Sequence, residues 1–131
     1  MHTRFAIPAL AFALAVACRG ETEDLGVLQA RVVHTDHPDS IRTTDSLVVY
    51  FLARPDIGNC FSESHVDVRR DSLRVAVTIW ANARQHSPPI PPCGIVGYRY
   101  SGAPPFVAGW FLVLASQPDG SVWVDSVTVW P

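Results

Sequence analysis

The chain has 131 residues, which suits one domain, and 48% of them are hydrophobic, enough for a packed core. Its ten cations are all Arg and stand against twelve acids, for a formal net charge of -2. Phosphate binding needs clustered cations, so this balance argues against a nucleic-acid partner; the one adjacent pair, Arg69-Arg70, reads as a solvated turn.

Met1-His2-Thr3-Arg4 is a short basic head, and Phe5 to Ala17 is an apolar run. The run is shorter than the ~20 residues that span a bilayer. A basic start, an apolar stretch of this length and small residues at its end describe a secretory signal peptide over residues 1–17. The end, Leu14-Ala15-Val16-Ala17-Cys18, resembles the lipobox of bacterial lipoproteins, with Ala15 where Leu is usual. That resemblance implies lipid attachment at Cys18, a membrane-anchored envelope protein and, from Arg19 in place of Asp, the outer membrane if the cell has two. Ala15-Val16-Ala17 also fits ordinary A-x-A cleavage, so a periplasmic or secreted protein stands as the alternative.

The cysteine count bears on the choice. Cys18, Cys60 and Cys93 are three, and an exported protein seldom keeps an odd thiol. Acylation of Cys18 would leave Cys60 and Cys93 for a disulfide. Residues 18–25 are polar and aperiodic at their centre (Arg19 to Asp24) and read as a flexible tether, with the domain over residues 26–131.

Period-two alternation dominates the rest. Gly26 to His34 is a first strand, and His37-Pro38-Asp39-Ser40 a loop. Leu47 to Ala53 is apolar on both faces, as a central strand would be. Arg54 to Asn59 has turn chemistry, and Val66 and Val68 alternate with charged residues. Leu73, Val75, Val77 and Ile79 make one apolar face of a strand. A helix capped by Asp71 or Ser72 would also group Leu73, Ala76, Val77 and Trp80, but the β-branched residues suit a pleated surface better. Arg84 to Cys93 is a Pro-rich connector, whose PxxP pattern reads as a stiff spacer. Val96 to Tyr100 is a short strand and Ser101 to Ala108 a loop. Trp110 to Ser116 and Ser121 to Trp130 flank Gln117-Pro118-Asp119-Gly120, a hairpin turn. The apolar phase changes at Asp125-Ser126, where a β-bulge is expected.

Seven or eight short strands indicate an all-β fold, a small antiparallel β-sandwich. The last strand and the Asp45-Ser46-Leu47 entry resemble bacterial immunoglobulin-like domains. Cys60 and Cys93 sit in turn-like sequence and would staple strand ends, unlike the immunoglobulin disulfide.

No motif specifies a reaction. His34-Thr35-Asp36-His37 with Asp39 and distant His65 is the best metal candidate, yet zinc or copper wants three or four converging ligands. Ser64-His65 has no Gly-x-Ser-x-Gly elbow around it, and Glu63 with Asp67 makes an ordinary pair of exposed acids. Trp80, Phe106, Trp110, Trp123 and Trp130 are expected mostly in the core, where a small sandwich needs large apolar area. Tyr98 and Tyr100 share one strand face, either core or a ligand face for a protein or glycan. The reading is thus a non-catalytic envelope lipoprotein, structural or binding a protein or glycan, without a cofactor. The alternative is a small periplasmic metal-binding or hydrolytic protein using His34, His37 and His65.

Overall fold

A computed structural model describes residues 20–88 and 94–131. The described chain is all β: β1 (Glu21–Gln29), β2 (Arg31–Asp36), β3 (Ser40–Arg42), β4 (Leu47–Arg54), β5 (Cys60–Arg70), β6 (Arg74–Ser87), β7 (Val96–Gly102), β8 (Gly109–Ser116) and β9 (Val122–Trp130). Strands β1, β3, β5, β6, β8 and β9 form one sheet, and β2, β4 and β7 a second, packed as a β-sandwich.

β6 organises the larger sheet. β5 pairs along one edge of it, from Val75 to Arg84. The other edge is shared: β8 takes Arg74–Val77 and β1 takes Trp80–Ser87. The changeover falls where Ala30, fully buried, donates its N–H to the Ile79 carbonyl and the chain crosses to the second sheet as β2. The expected single strand over Gly26–His34 is therefore two strands in two sheets.

The sandwich is antiparallel apart from two pairs. β8 runs parallel to β6 because β7, between them in sequence, lies in the other sheet. β3 runs parallel to β9. Among the described residues nine strands stand in place of the expected seven or eight, since the short β3 adds one and the first strand divides. β1 begins at Glu21, so residues 21–24, expected within a tether, pair with Ser87–Arg84 of β6. β6 likewise runs on to Ser87, into the expected Pro-rich connector.

Alternation places Leu47, Val49, Phe51 and Ala53 of β4 against Val75, Val77 and Ile79 of β6, Phe111 and Val113 of β8, and Val127 and Val129 of β9. Burying one such aliphatic or aromatic side chain contributes about 1.5–3 kcal/mol. β4 is central, as expected, but only one of its faces is dry: Tyr50 and Leu52 on the other stand in solvent. Arg74–Trp80 is strand and not helix, and Leu73, just before it, stands exposed instead of joining the buried face. The edge strand β5 is guarded by a bulge at Ser64 and by Glu63, Asp67 and Arg69, which discourage pairing with another chain.

The β8–β9 turn is as expected. Gly120 has φ of 84°, which L side chains avoid, and donates its N–H to Gln117. The Gln117 side chain is buried and spans the two sheets: its Oε1 accepts the Val32 N–H at 2.9 Å and its Nε2 donates to the Val32 carbonyl at 3.1 Å. The bulge expected at Asp125-Ser126 is absent. Pairing from Val122 to Val129 is continuous, so Trp123, Asp125, Val127 and Val129 face inward while Val122 and Val124 face solvent.

Candidate functional site

The sequence-predicted residues do not assemble into one site. His34 is exposed on the outer face of β2, opposite Leu52. His65 stacks on Trp80 of β6, ring centroids 5.7 Å apart, and its Nδ1 lies 3.0 Å from Ser64 Oγ. Trp80 donates its indole N–H to Asp67, which gives that acid a structural partner. Among the described residues no three His, Cys, Asp or Glu side chains are grouped to hold a metal ion. Arg70 is exposed, as expected, but it ends β5 rather than a turn: it donates to the Ala103 carbonyl at 2.7 Å and its guanidinium lies 4.4 Å from the Phe106 ring centroid.

Tyr98 and Tyr100 do share a face, and it is the inner one. Tyr100 is 6% exposed, and Tyr98 packs on Phe51 with centroids 6.1 Å apart. Burial, with the charges of Tyr100 and Glu63, pushes the Tyr98 phenol above its ordinary pKa. The ligand-face reading of the pair is thereby corrected. Arg99 between them points outward, its Nε donating to the phenol oxygen of Tyr50 on the neighbouring strand β4 at 3.3 Å. Cys60 opens β5; Cys18 and Cys93 lie outside the described residues, as do residues 1–17, which the sequence reads as a signal peptide.

His37 has a role that spacing did not reveal. Its Nε2–H donates to Asp125 Oδ2 at 2.7 Å and its Nδ1–H to the Pro38 carbonyl at 2.9 Å. Two acceptors call for two protons, so the ring sits as imidazolium. The Thr35 hydroxyl also donates to Asp125, at 2.8 Å. Thr35 belongs to the smaller sheet and Asp125 to the larger, so the cluster ties the sheets together. Burial opposes the charge on His37, whose side chain is only 9% exposed. The Pro38 carbonyl, Asp125 and Asp39 outweigh it and raise its pKa above 6.5. For Asp125 burial is likewise outweighed, here by hydrogen bonds from His37, Thr35 and the Ser126 N–H, and its pKa falls below 3.8.

A raised His pKa adds stability that is complete below about 6.5 and is lost as pH rises through the folded value. A lowered Asp pKa adds stability that is present above 3.8 and lost as pH falls through its folded value. His37→Ala should therefore cost most between these limits, about 1–3 kcal/mol, because a partly buried carboxylate loses a donor. Urea unfolding at pH 5.5 and 8.5 should show a smaller gap between wild type and variant at 8.5. An equal gap at both would refute the charged pair.

The surface with unspent chemistry is the outer face of the larger sheet. Trp110 of β8 is 68% exposed and Trp130 of β9 58%. Trp110 pairs with Thr128, which pairs with Ser40 of β3; Trp130 pairs with Arg42. The two indoles are thus diagonal cross-strand neighbours, with backbones about 7–8 Å apart. Farther along, the same face carries half-buried Leu112 and Leu114 and exposed Val122 and Val124. Beside Trp130 an open hollow of about 660 Å³ is lined by Ser40, Ile41, Arg42, Asp45, Trp130 and Pro131. Its loop is held rigid: Thr43 donates its N–H to the Trp130 carbonyl at 2.8 Å, and the Arg42 N–H donates to Asp45 Oδ2 at 2.8 Å. Both phases of β8 are apolar, so alternation alone does not tell which side Trp110 faces, and the expectation of a mostly core aromatic set does not hold for it.

No protein-family model, curated protein or solved structure matches this chain.

Proposed function

We propose that this chain is a non-catalytic cell-envelope module: an immunoglobulin-like β-sandwich, lipid-anchored through Cys18 after removal of residues 1–17, that binds an envelope partner through the outer face of its larger sheet. The observation that carries the reading is the exposure of Trp110, Trp130, Val122 and Val124 together on that face. Contiguous exposed apolar surface of this kind marks interaction sites on soluble domains. The odd cysteine and the lipobox-like end of the apolar run support the anchor. A Cys60–Cys93 disulfide belongs to the same reading. Its support is that Gly94, next to Cys93, lines one hollow with Gly58, Asn59 and Phe61, the neighbours of Cys60.

The test joins both halves. Fatty-acid analogue labelling should mark the wild-type chain, and Cys18→Ser should abolish the mark and release the protein. The released protein should rebind isolated envelopes, and Trp110→Ala with Trp130→Ala should remove that rebinding without lowering the melting temperature. An unlabelled wild-type chain would overturn the anchor, and unchanged rebinding would overturn the face.

A further inference from the structure

We propose that Trp110 and Trp130 form a stacking platform for the sugar rings of an envelope glycan strand, with Ser40, Arg42 and Thr128 supplying hydrogen bonds at its edge. The inference rests on the binding-module reading and names its ligand. A pyranose ring offers a face of C–H groups and a rim of hydroxyls. An indole offers the matching electron-rich face. What a sugar site needs besides is donors and acceptors around the ring, and the two rows provide them. Trp110 continues into the hydroxyls of Thr128 and Ser40, and Trp130 stands beside Arg42. Among the described residues, no hydrogen bond joins either of these indole N–H groups, the Ser40 hydroxyl or the Arg42 guanidinium to a protein partner. The hollow beside Trp130 has room for a sugar unit, and its walls are polar as well as apolar. The loop under it is already hydrogen-bonded in place, so little ordering is needed on binding.

The position of the platform agrees with a ligand away from the anchoring membrane. The chain outside the structure leaves from Gly20, beside Glu21, which pairs with Ser87 at one end of β6. Leu112 pairs with Arg74 at the other end of β6, and Trp110 lies two residues beyond it in a strand parallel to β6. At strand spacing this separates the indoles from the anchor by about 40–50 Å. The tryptophans therefore stand at the end of the larger sheet opposite the one from which the chain leaves toward Cys18. A dry protein contact would centre instead on Val122, Val124 and Leu114, where the hydroxyls of Ser116 and Ser126 flank the apolar side chains but no row of them runs beside an indole.

The experiment is co-sedimentation of the detergent-solubilised full chain with purified peptidoglycan sacculi, in competition with a soluble N-acetylglucosamine tetramer. Expected is retention that the tetramer competes, weakened at least tenfold by Trp130→Ala and by Trp110→Ala, weakened a few-fold by Ser40→Ala, and unchanged by Leu52→Ser on the exposed face of the smaller sheet, with Val122→Ser and Val124→Ser measured beside them. Circular dichroism melting of each variant should stay within a few degrees of wild type; a variant that melts lower is replaced by Trp130→Leu, which keeps bulk and loses the aromatic face. No retention on sacculi overturns the glycan platform, as does retention that depends on the valines and not on the tryptophans. If sacculi retain nothing while Trp110 and Trp130 are still required for rebinding to whole envelopes, the glycan falls and the binding module stands. If sacculi retain the chain through the tryptophans but no lipid label appears at Cys18, the anchor falls and the platform stands.

Discussion

Replacing both Tyr98 and Tyr100 by Ala should collapse the stability of the domain, because each change empties space at the centre of the sandwich. Large-to-small core substitutions cost roughly 2–5 kcal/mol each, and a small domain has only about 5–15 kcal/mol in total. Tyr100 is nearly inaccessible and Tyr98 packs on fully buried Phe51. Urea unfolding of the double variant measures the loss, and a loss below about 1 kcal/mol would contradict the inner position. A second variant isolates the hydroxyl. The Tyr100 phenol oxygen is buried without a hydrogen-bond partner among the described residues. Tyr100→Phe should therefore be neutral or stabilising, since it removes an unsatisfied buried polar group and keeps the ring.

Breaking the proposed Cys60–Cys93 bond should have the next largest effect. In the chain-entropy treatment, freeing a loop of this length costs about 3–4 kcal/mol. Cys60 begins β5, directly after Asn59, whose side chain holds β6 by accepting the His86 N–H and donating to the His86 carbonyl. A staple here would keep the ends of β5 and β6 in register. Non-reducing mass spectrometry of native protein should find the linked peptide pair, and Cys60→Ser should lower stability by the stated amount. Two alkylatable thiols in freshly isolated protein would contradict the bond.

The elements legible in the sequence were those where apolar residues alternate and a turn residue fixes the phase. β6 with its β-branched face and the hairpin at Gln117–Gly120 are of this kind. Where both faces are apolar, alternation loses its meaning. β8 reads Trp110-Phe111-Leu112-Val113, and only pairing decides that Phe111 and Val113 are inside. β9 failed for a related reason. Its apolar Val122 and Val124 face solvent, while Asp125 faces inward because Thr35 and His37 from the other side of the sandwich satisfy it. A bulge was expected only because an inward carboxylate was not. The crossing at Ala30 was hidden as well: the residue is small and apolar, and nothing local distinguishes one strand from two. The site followed the same pattern. The tryptophans were visible as residues, but their outward direction is set by the partners Thr128 and Arg42, which are far away in the chain from Trp110 and Trp130 respectively.

The central claim is that the outer face of the larger sheet, and not that of the smaller one, meets the partner. Site-specific photo-cross-linking in intact cells tests it most directly. A benzophenone side chain is placed at Val124 on the larger sheet or at Leu52 on the smaller, both exposed positions. Irradiation should give a high-mass adduct from position 124 and little from position 52, and Trp110→Ala with Trp130→Ala should remove the adduct at 124. Adducts at 52 alone, or equal adducts at both that survive loss of the tryptophans, would contradict the assignment.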